Sequence, residues 1–507
     1  MKYILGIDIG TTAIKAAVFD ETGRDCGSHT CEYSLLTPTA TRVELEAQTY
    51  VNAFKVALSN AVSNAKVARQ DIISLGISAQ GETLFFLDEK LEPLRPAIVW
   101  MDNRATEEAA WLEAQLGRER VHRTTGQVGM SATWPASKIL WVKRNEPQIF
   151  AKTAKFLLIE DYFVYLLTGQ FASEDSLLCS TMYWDINTRE YWPAMLDLLG
   201  VDQGQLPVIH KPGSAIATVS ADAASEFGLG SNTLVCLGAL DQACGAIGVG
   251  NVRPGIFSES TGAALASVAM ATQPVIDPAG QMPCFASAIP GMYMLHAYST
   301  GGMAIRWFRD TFCGAEMDVE RTCGLNAYAL IDCEVESVEP GSHGLRVLPH
   351  LQGSGPPDTD CHAKGVFINV TLAHSKAHFA RGIMEGVAMV LLRMLEATRS
   401  LGVEVEEIRS LSGGAKSRAW CQIKANASGL PVRTMKTTDV AACLGAAVLA
   451  GVAAGVWPSV VETASKFADY DLEYQPDPAH KELYDNMLAD YKLLMSELAP
   501  SFKRANI

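Results

Sequence analysis

Two short glycine- and hydroxyl-bearing turns lie about half the chain apart, Asp8-Ile9-Gly10-Thr11-Thr12 and Ser260-Thr261-Gly262-Ala263-Ala264. Each is set between two apolar runs, residues 3–7 and 13–19 around the first, 255–260 and 264–269 around the second. That pattern predicts a β-hairpin at both places. A strand-turn-strand layout repeated at this distance is what a duplicated unit leaves behind, so the chain is expected to fold as two related lobes. Gly10 lets the backbone approach a ligand closely, and Thr11 and Thr12 offer N–H and O–H groups to phosphate oxygens. Asp8 faces a phosphate only through a divalent cation or its water shell. Alone, such a turn is an ordinary turn. Two of them are what one phosphate chain gripped between lobes requires.

A chain of 507 residues exceeds what one core serves. The boundary is expected near residues 248–255, where Gly and Pro break any regular element, giving domains 1–247 and 248–507 with a hinge between them. Strand-like runs at 72–78 and 83–88 and a helix at 106–116 alternate as in α/β proteins. Residues 344–351 read as a strand leading into a loop at 352–358, and 374–400 as a long amphipathic helix. Residues 409–412 lead into the glycine turn Gly413-Gly414-Ala415-Lys416 and a helix opening at Arg418, a setting suited to phosphates or nucleotide edges. The longest uncharged run, 441–457, is shorter than the roughly 20 residues of a membrane span and reads as a buried helix pair around Gly451 to Gly455. A net charge of −15 speaks against nucleic-acid binding. The 12 cysteines contain no C-x-x-C pair and read as reduced core residues of a cytoplasmic protein. Asp8 interrupts the only early apolar run, so no export signal is expected.

The carboxylate best placed for chemistry is Asp241, which follows a buried-strand run and precedes the small residues 243–246. A helix is expected to start there, and its macrodipole favours an ionised carboxylate. An ionised Asp beside an alcohol accepts its proton as the alcohol attacks a γ-phosphate. A plain N-cap is the competing reading, and both hold together. Two polar clusters, Gln80-Gly81-Glu82-Thr83 and Trp100-Met101-Asp102-Asn103-Arg104, each follow a strand. Strand ends are where α/β proteins present hydrogen-bonding groups to polyols; solvated loops are the other reading. Lys138 is expected to top a helix whose Ile139, Leu140 and Trp141 pack inward.

These residues resemble the FGGY carbohydrate kinase family over nearly the whole chain, from Asp8 to about Gly455. Its first signature is similar to Trp134-Pro135-Ala136-Ser137-Lys138-Ile139-Leu140-Trp141, and its second to the stretch 365–386. The resemblance implies an α/β fold of two actin-like, ribonuclease-H-like ATPase domains with a cleft between them. It implies that Asp8 holds magnesium and that Thr11, Thr12 and Lys15 meet the ATP phosphates. Thr261 and Gly262 would form the second phosphate turn, Gly413, Gly414, Ala415 and Lys416 would meet the adenosine, and Asp241 falls on the catalytic base. Where xylulokinases carry a Met-His pair this chain has Gly81-Glu82; where glycerol kinases carry Arg-Glu-Thr it keeps Glu82-Thr83 and replaces the arginine with Gly81. Gln242 also looks like the glycerol branch, and the segment 135–147 like the xylulose branch. Losing that arginine is expected to open volume. The expected activity is therefore ATP- and Mg2+-dependent phosphorylation of a four- or five-carbon ketose or polyol, xylulose-like, with Gln80, Gly81, Glu82, Asp102, Trp134 and Gln242 lining the pocket. A glycerol kinase-like polyol kinase is the alternative. An actin-like nucleotide-driven binding protein without sugar turnover leaves Asp241 and the polar clusters unexplained. A sugar-responsive regulator lacks room for a DNA-binding element before residue 8. No nucleic-acid or membrane partner is expected, and a homodimer is left open.

Overall fold

The computed structural model describes residues 2–436 and 439–504. The first turn joins strands β1 (Tyr3–Ile9) and β2 (Ala13–Asp20), and Gly10 N–H closes it on Ala13 O at 3.0 Å. With β3 (Asp25–Glu32), β4 (Ile72–Ala79), β5 (Ala215–Thr218) and β6 (Leu234–Leu240), these strands form a six-stranded sheet in the order β5-β6-β4-β1-β2-β3. The β1-β4 and β4-β6 pairs are parallel and the others antiparallel.

The second turn joins β7 (Gly255–Thr261) and β8 (Ala264–Ala271). After β9 (Cys284–Ala286), β10 (Tyr293–Thr300), β11 (Val405–Leu411), β12 (Val432–Met435) and β13 (Tyr470–Tyr474), the order is β9-β10-β8-β7-β11-β12-β13. Here β7-β11 and β11-β12 are the parallel pairs. Apart from the extra edge strand β9, the two sheets match pair for pair. A further five-stranded sheet includes Leu84–Leu87 and Ala97–Ile98, whose flanking loops carry residues 80–83 and 100–104.

Strand β1 alternates as its pleat requires. Leu5, Ile7 and Ile9 enter a core shared with Tyr50 and Phe54 of helix α1 (Ala47–Ala65), while Ile4, Gly6 and Asp8 take the other face. The elements that meet the cleft and the second sheet are α2 (Pro135–Asn145), α3 (Asp241–Gly248), α4 (Lys376–Ser400), α5 (Arg418–Ser428) and α6 (Ala441–Ala453). Although α6 comes from the second half of the chain, it lies on the first sheet. A Cβ at Gly6 would stand 1.8 Å from Cys443 O, and one at Gly76 2.3 Å from Ala446 O. The same helix crosses α3 just as closely: a Cβ at Gly248 would stand 1.9 Å from Ala441 O, and one at Gly445 1.9 Å from Cys244 O. Backbone meets backbone there because no side chain intervenes.

The end of β6, which delivers Asp241, is held by buried acids. Glu160 Oε1 accepts Gly238 N–H at 2.7 Å; Ser176 Oγ accepts Leu240 N–H at 3.0 Å and donates to Glu174 Oε1 at 2.8 Å. Burial pushes the Glu160 and Glu174 carboxyls upward, and their mutual repulsion adds to this at Glu160. Burial likewise pushes Asp161 up to about 7.

Several sequence expectations change here. Residues 441–453 are one helix, not a pair, because a turn around Gly455 ends it. Helix α4 starts at Lys376 and is buried on every side from Ala380 to Leu392, so it is a central helix without a solvent stripe. All twelve cysteines are free; seven are buried, but Cys323, Cys333 and Cys361 are exposed. Among the described residues no helix is long and apolar enough to cross a membrane.

Two outcomes follow. Gly6→Ala drives a methyl into a carbonyl that has no room to retreat and should cost about 3 kcal/mol in urea unfolding. Gly245→Ala on α3, with nothing within 4 Å of its Cβ, should cost nothing; equal losses in both variants would refute the crossing as the reason. The pH dependence has a defined sign. A carboxyl whose pKa is raised by folding leaves the native state holding more protons, so its contribution is full below about pH 4. For Asp161 it is lost as pH rises through about 7. The urea midpoint should fall from pH 5 to pH 9 by a smaller amount in Asp161→Asn, which keeps an acceptor for Leu158 N–H; an unchanged fall would exclude Asp161 as its source.

Candidate active site

Parallel pairing aligns Ile9, Ala79 and Leu240 across β1, β4 and β6, so Gly10, Gln80 and Asp241 leave the sheet at one edge. The carboxyl ends of parallel strands are where α/β sheets bind ligands. In the second sheet Ser260 pairs with Leu411, which brings the second hydroxyl turn beside the glycine turn at 413–416: Ser260 Oγ and Ser412 Oγ are 2.7 Å apart. A cavity of about 360 Å³ opens between the two edges, lined by Asp8, Lys15, Asp241, Ser260, Ser412 and Gly413 among others. A second, of about 260 Å³, is lined by Thr11, Gln80, Gly81, Glu82, Trp134 and residues of the second sheet. Asp241 and Gln242 line both.

On the phosphate side, Asp8 Oδ1 accepts the Ser78 hydroxyl at 2.8 Å, and burial raises its pKa. Thr11 Oγ1 accepts the Trp100 indole N–H at 2.8 Å, which leaves the threonine's own hydrogen free to donate into the cleft. Thr12 is exposed beside it. Thr261 Oγ1 donates to Glu259 Oε2 at 2.6 Å and accepts from Lys424 Nζ at 3.0 Å, so this turn is fixed from below by the buried Lys424–Glu259 pair. A Cβ at Gly262 meets only Ala264 O at 4.0 Å and one at Gly413 only Thr261 O at 3.9 Å, so both turns present open backbone. Lys15 donates to Asp439 O, and Lys416 lies 3.3 Å from the Asp439 carboxylate. Helix α3 opens at Asp241 and helix α6 at Ala441, and both first turns line this cavity. Two helix N-termini and open backbone N–H groups fit a phosphate chain, and the Asp8 carboxylate fits the cation that accompanies one. Thr11 lines the smaller cavity, and Thr12, Thr261, Gly262 and residues 414–416 lie outside the lining of the larger one.

Asp241 departs from expectation. Burial, then the Asp8 charge, with a smaller push from Glu82, raise its pKa to about 8, against the single Gln242 N–H donated to Oδ1 at 2.7 Å. The helix dipole is worth at most about 2 kcal/mol and loses to desolvation plus two like charges.

On the other side, Lys138 reverses its sequence reading. It is fully buried, and its Nζ donates to Glu82 O and Val99 O at 3.0 Å and to Trp100 O at 3.3 Å. Burial pulls its pKa down to about 7 against the Glu82 and Asp102 charges, and three carbonyls match the three N–H groups of an ammonium. One side chain of α2 thereby ties down both loops of the pocket, including Glu82, whose φ of +59° is left-handed. Asp102 does not line the pocket. Its Oδ1 accepts Arg104 Nε at 2.8 Å and its Oδ2 accepts Val43 N–H at 2.6 Å, so the carboxylate is engaged within the loop. Gly81 lines the pocket, and a Cβ there would meet Leu240 Cδ1 at 3.1 Å and Ser180 Oγ at 3.2 Å. Trp134 lines the pocket and donates its indole N–H to Gly129 O at 3.0 Å. Phe285, His296 and Tyr298 reach the pocket from β9 and β10, and no local pattern marks them.

Comparison with known proteins agrees with this geometry. The N-terminal domain of the FGGY family of carbohydrate kinases matches residues 3–248, and the C-terminal domain matches residues 260–454. The chain is 29% identical to the xylulose kinase of Bacillus subtilis, covering 97% of this chain and 96% of that one. It is 28% identical to the autoinducer-2 kinase of Klebsiella pneumoniae, covering 98% and 94%. The crystal structure of the gluconate kinase from Lactobacillus acidophilus superposes with a TM-score of 0.91 at 27% identity, covering 99% of each chain. Domain matches over nearly the whole length, on two matching sheets that close one cleft, show that this chain belongs to the FGGY family of carbohydrate kinases and is an ATP-dependent sugar kinase.

Proposed function

We propose that the protein transfers the γ-phosphoryl group of ATP to a hydroxyl of a four- or five-carbon ketose or polyol, xylulose-like, in the cytoplasm. The observation that carries this reading is the position of Asp241 and Gln242 in the wall shared by the two cavities. A hydroxyl in the smaller cavity lies on one side of the Asp241 carboxyl, and a phosphate chain in the larger lies on the other. Asp241 accepts the hydroxyl proton as the oxygen attacks phosphorus. Thr11, Thr12, Lys15, Thr261 and Gly262 hold the phosphates, and residues 413–416 meet the adenosine. Asp8 would hold magnesium, whose charge would offset the Asp8 contribution that raises the Asp241 pKa. Gln80, Gly81, Glu82, Trp134 and Gln242 orient the sugar, and Asp102 acts through Arg104 on the loop.

The lobes of this reading are residues 1–247 and 248–507, closing about the α3–α6 crossing. Closure excludes water, so that transfer to the sugar outruns hydrolysis. Glycerol remains the second candidate because Glu82, Thr83 and Gln242 match that branch. The aromatic wall of Trp134, Phe285 and Tyr298 favours a longer carbon chain.

A coupled ADP-release assay across glycerol, tetritols, pentitols, xylulose and ribulose should give its highest kcat/KM with a C4 or C5 compound. With that compound, Asp241→Asn should lower kcat by roughly 10²-fold or more. Turnover of Asp241→Asn near the wild-type rate would remove it as the base.

A further inference from the structure

His296 takes no part in the chemistry above, yet its ring belongs to the wall of the smaller cavity and is only 8% exposed. It stands on β10, and its Nδ1 lies 2.9 Å from Ser267 O on the neighbouring strand β8. A carbonyl oxygen only accepts, so Nδ1 carries the ring proton. Burial pulls the imidazole pKa down and keeps the ring neutral, which leaves Nε2 as a bare lone-pair acceptor. Phe285 packs edge-on at 5.3 Å between ring centroids and Tyr298 lies at 6.4 Å, fixing the plane in which that lone pair points.

The first lobe contributes a similar group. Gln80 Nε2 donates to Tyr50 Oη at 3.2 Å, and its Oε1 is buried without a partner. Gln80 and His296, from opposite lobes and each with an unmet acceptor, therefore both line one small cavity with Glu82 and Asp241. The nearby cations are engaged elsewhere: Lys138 on three backbone carbonyls, Arg104 on Asp102 and Glu44. Hydroxyl hydrogens satisfy such a wall, whereas a substrate carboxylate would face two carboxyls and two lone pairs with no counter-charge.

We propose that His296 Nε2 is a specificity-determining acceptor that takes a hydrogen bond from a sugar hydroxyl other than the one phosphorylated, and that this wall selects an uncharged polyhydroxy substrate over a sugar acid. The proposal rests on the sugar-kinase reading of the cleft. Because His296 belongs to the second lobe and Gln80 to the first, the two meet one substrate only when the lobes are together. Sugar recognition and closure then become one event.

The test pairs a residue deletion with a substrate deletion. Wild type, His296→Phe and His296→Gln are assayed with the preferred sugar, each of its monodeoxy analogues and the corresponding aldonate, with ATP varied separately. His296→Phe should lower kcat/KM for the parent sugar by 10-fold or more and leave the KM for ATP within about 2-fold, which a general structural defect would not do. One monodeoxy analogue should lose 10-fold or more on wild type but show no further loss on His296→Phe. His296→Gln, which restores an acceptor, should recover part of the activity. The aldonate should be turned over at least 10²-fold less efficiently than the neutral sugar. Unchanged sugar kinetics in His296→Phe, parallel losses of every analogue in both enzymes, or efficient aldonate turnover would overturn the proposal and leave the kinase reading intact. A wild type that phosphorylates no sugar or polyol would overturn both.

Discussion

The molecule depends on one contact made without side chains, the crossing of α6 over β1, β4 and α3. At Gly6, Gly76, Gly248 and Gly445 the approach is so close that an added methyl would overlap a carbonyl oxygen. That closeness brings the first turns of α3 and α6 into the same cavity wall. Helix starts carry unpaired N–H groups and partial positive charge, so the crossing itself builds a place for an anion. The Asp241 carboxyl sits there because it is the first residue of one of those helices.

A second constraint is the placing of loops by buried charges. The Lys138 ammonium gathers the carbonyls of Glu82, Val99 and Trp100, and Trp100 passes the restraint to Thr11 through its indole N–H. The loops at 80–83 and 100–104 and the hairpin turn at 10–12 are thus held as one unit. In the second lobe the Lys424–Glu259 pair does the corresponding task beneath Thr261. Lys138 fixes backbone beside the smaller cavity, whereas Glu259 both anchors its turn and lines the larger one.

Local chemistry was legible from the sequence. Both hairpins, the strand at 72–79, the helix at 106–116 and the start of a helix at Asp241 follow from apolar periodicity and turn residues, which depend on near neighbours alone. What escaped depends on distant partners. Lys138 read only as topping a helix because its three acceptors lie 38 to 56 positions away. Asp102 read as a sugar ligand because nothing local says that Arg104 and Val43 occupy it. Asp241 read as ionised because a helix start is visible in sequence and desolvation is not. His296 gave no sign at all, since its tautomer is set by a strand partner 29 residues earlier.

The glycine crossing also bears on how such proteins diversify. Its contacts are made by main-chain atoms, which substitutions elsewhere do not alter, whereas the sugar pocket is walled by side chains on loops and on the edges of β9 and β10. Mutation can therefore remodel the wall of the smaller cavity while leaving the crossing untouched. Relatives named for xylulose and autoinducer-2, and a structural neighbour named for gluconate, share this chain's length at less than one-third identity. A contact free of side chains lets a binding wall be refitted without the frame beneath it being rebuilt.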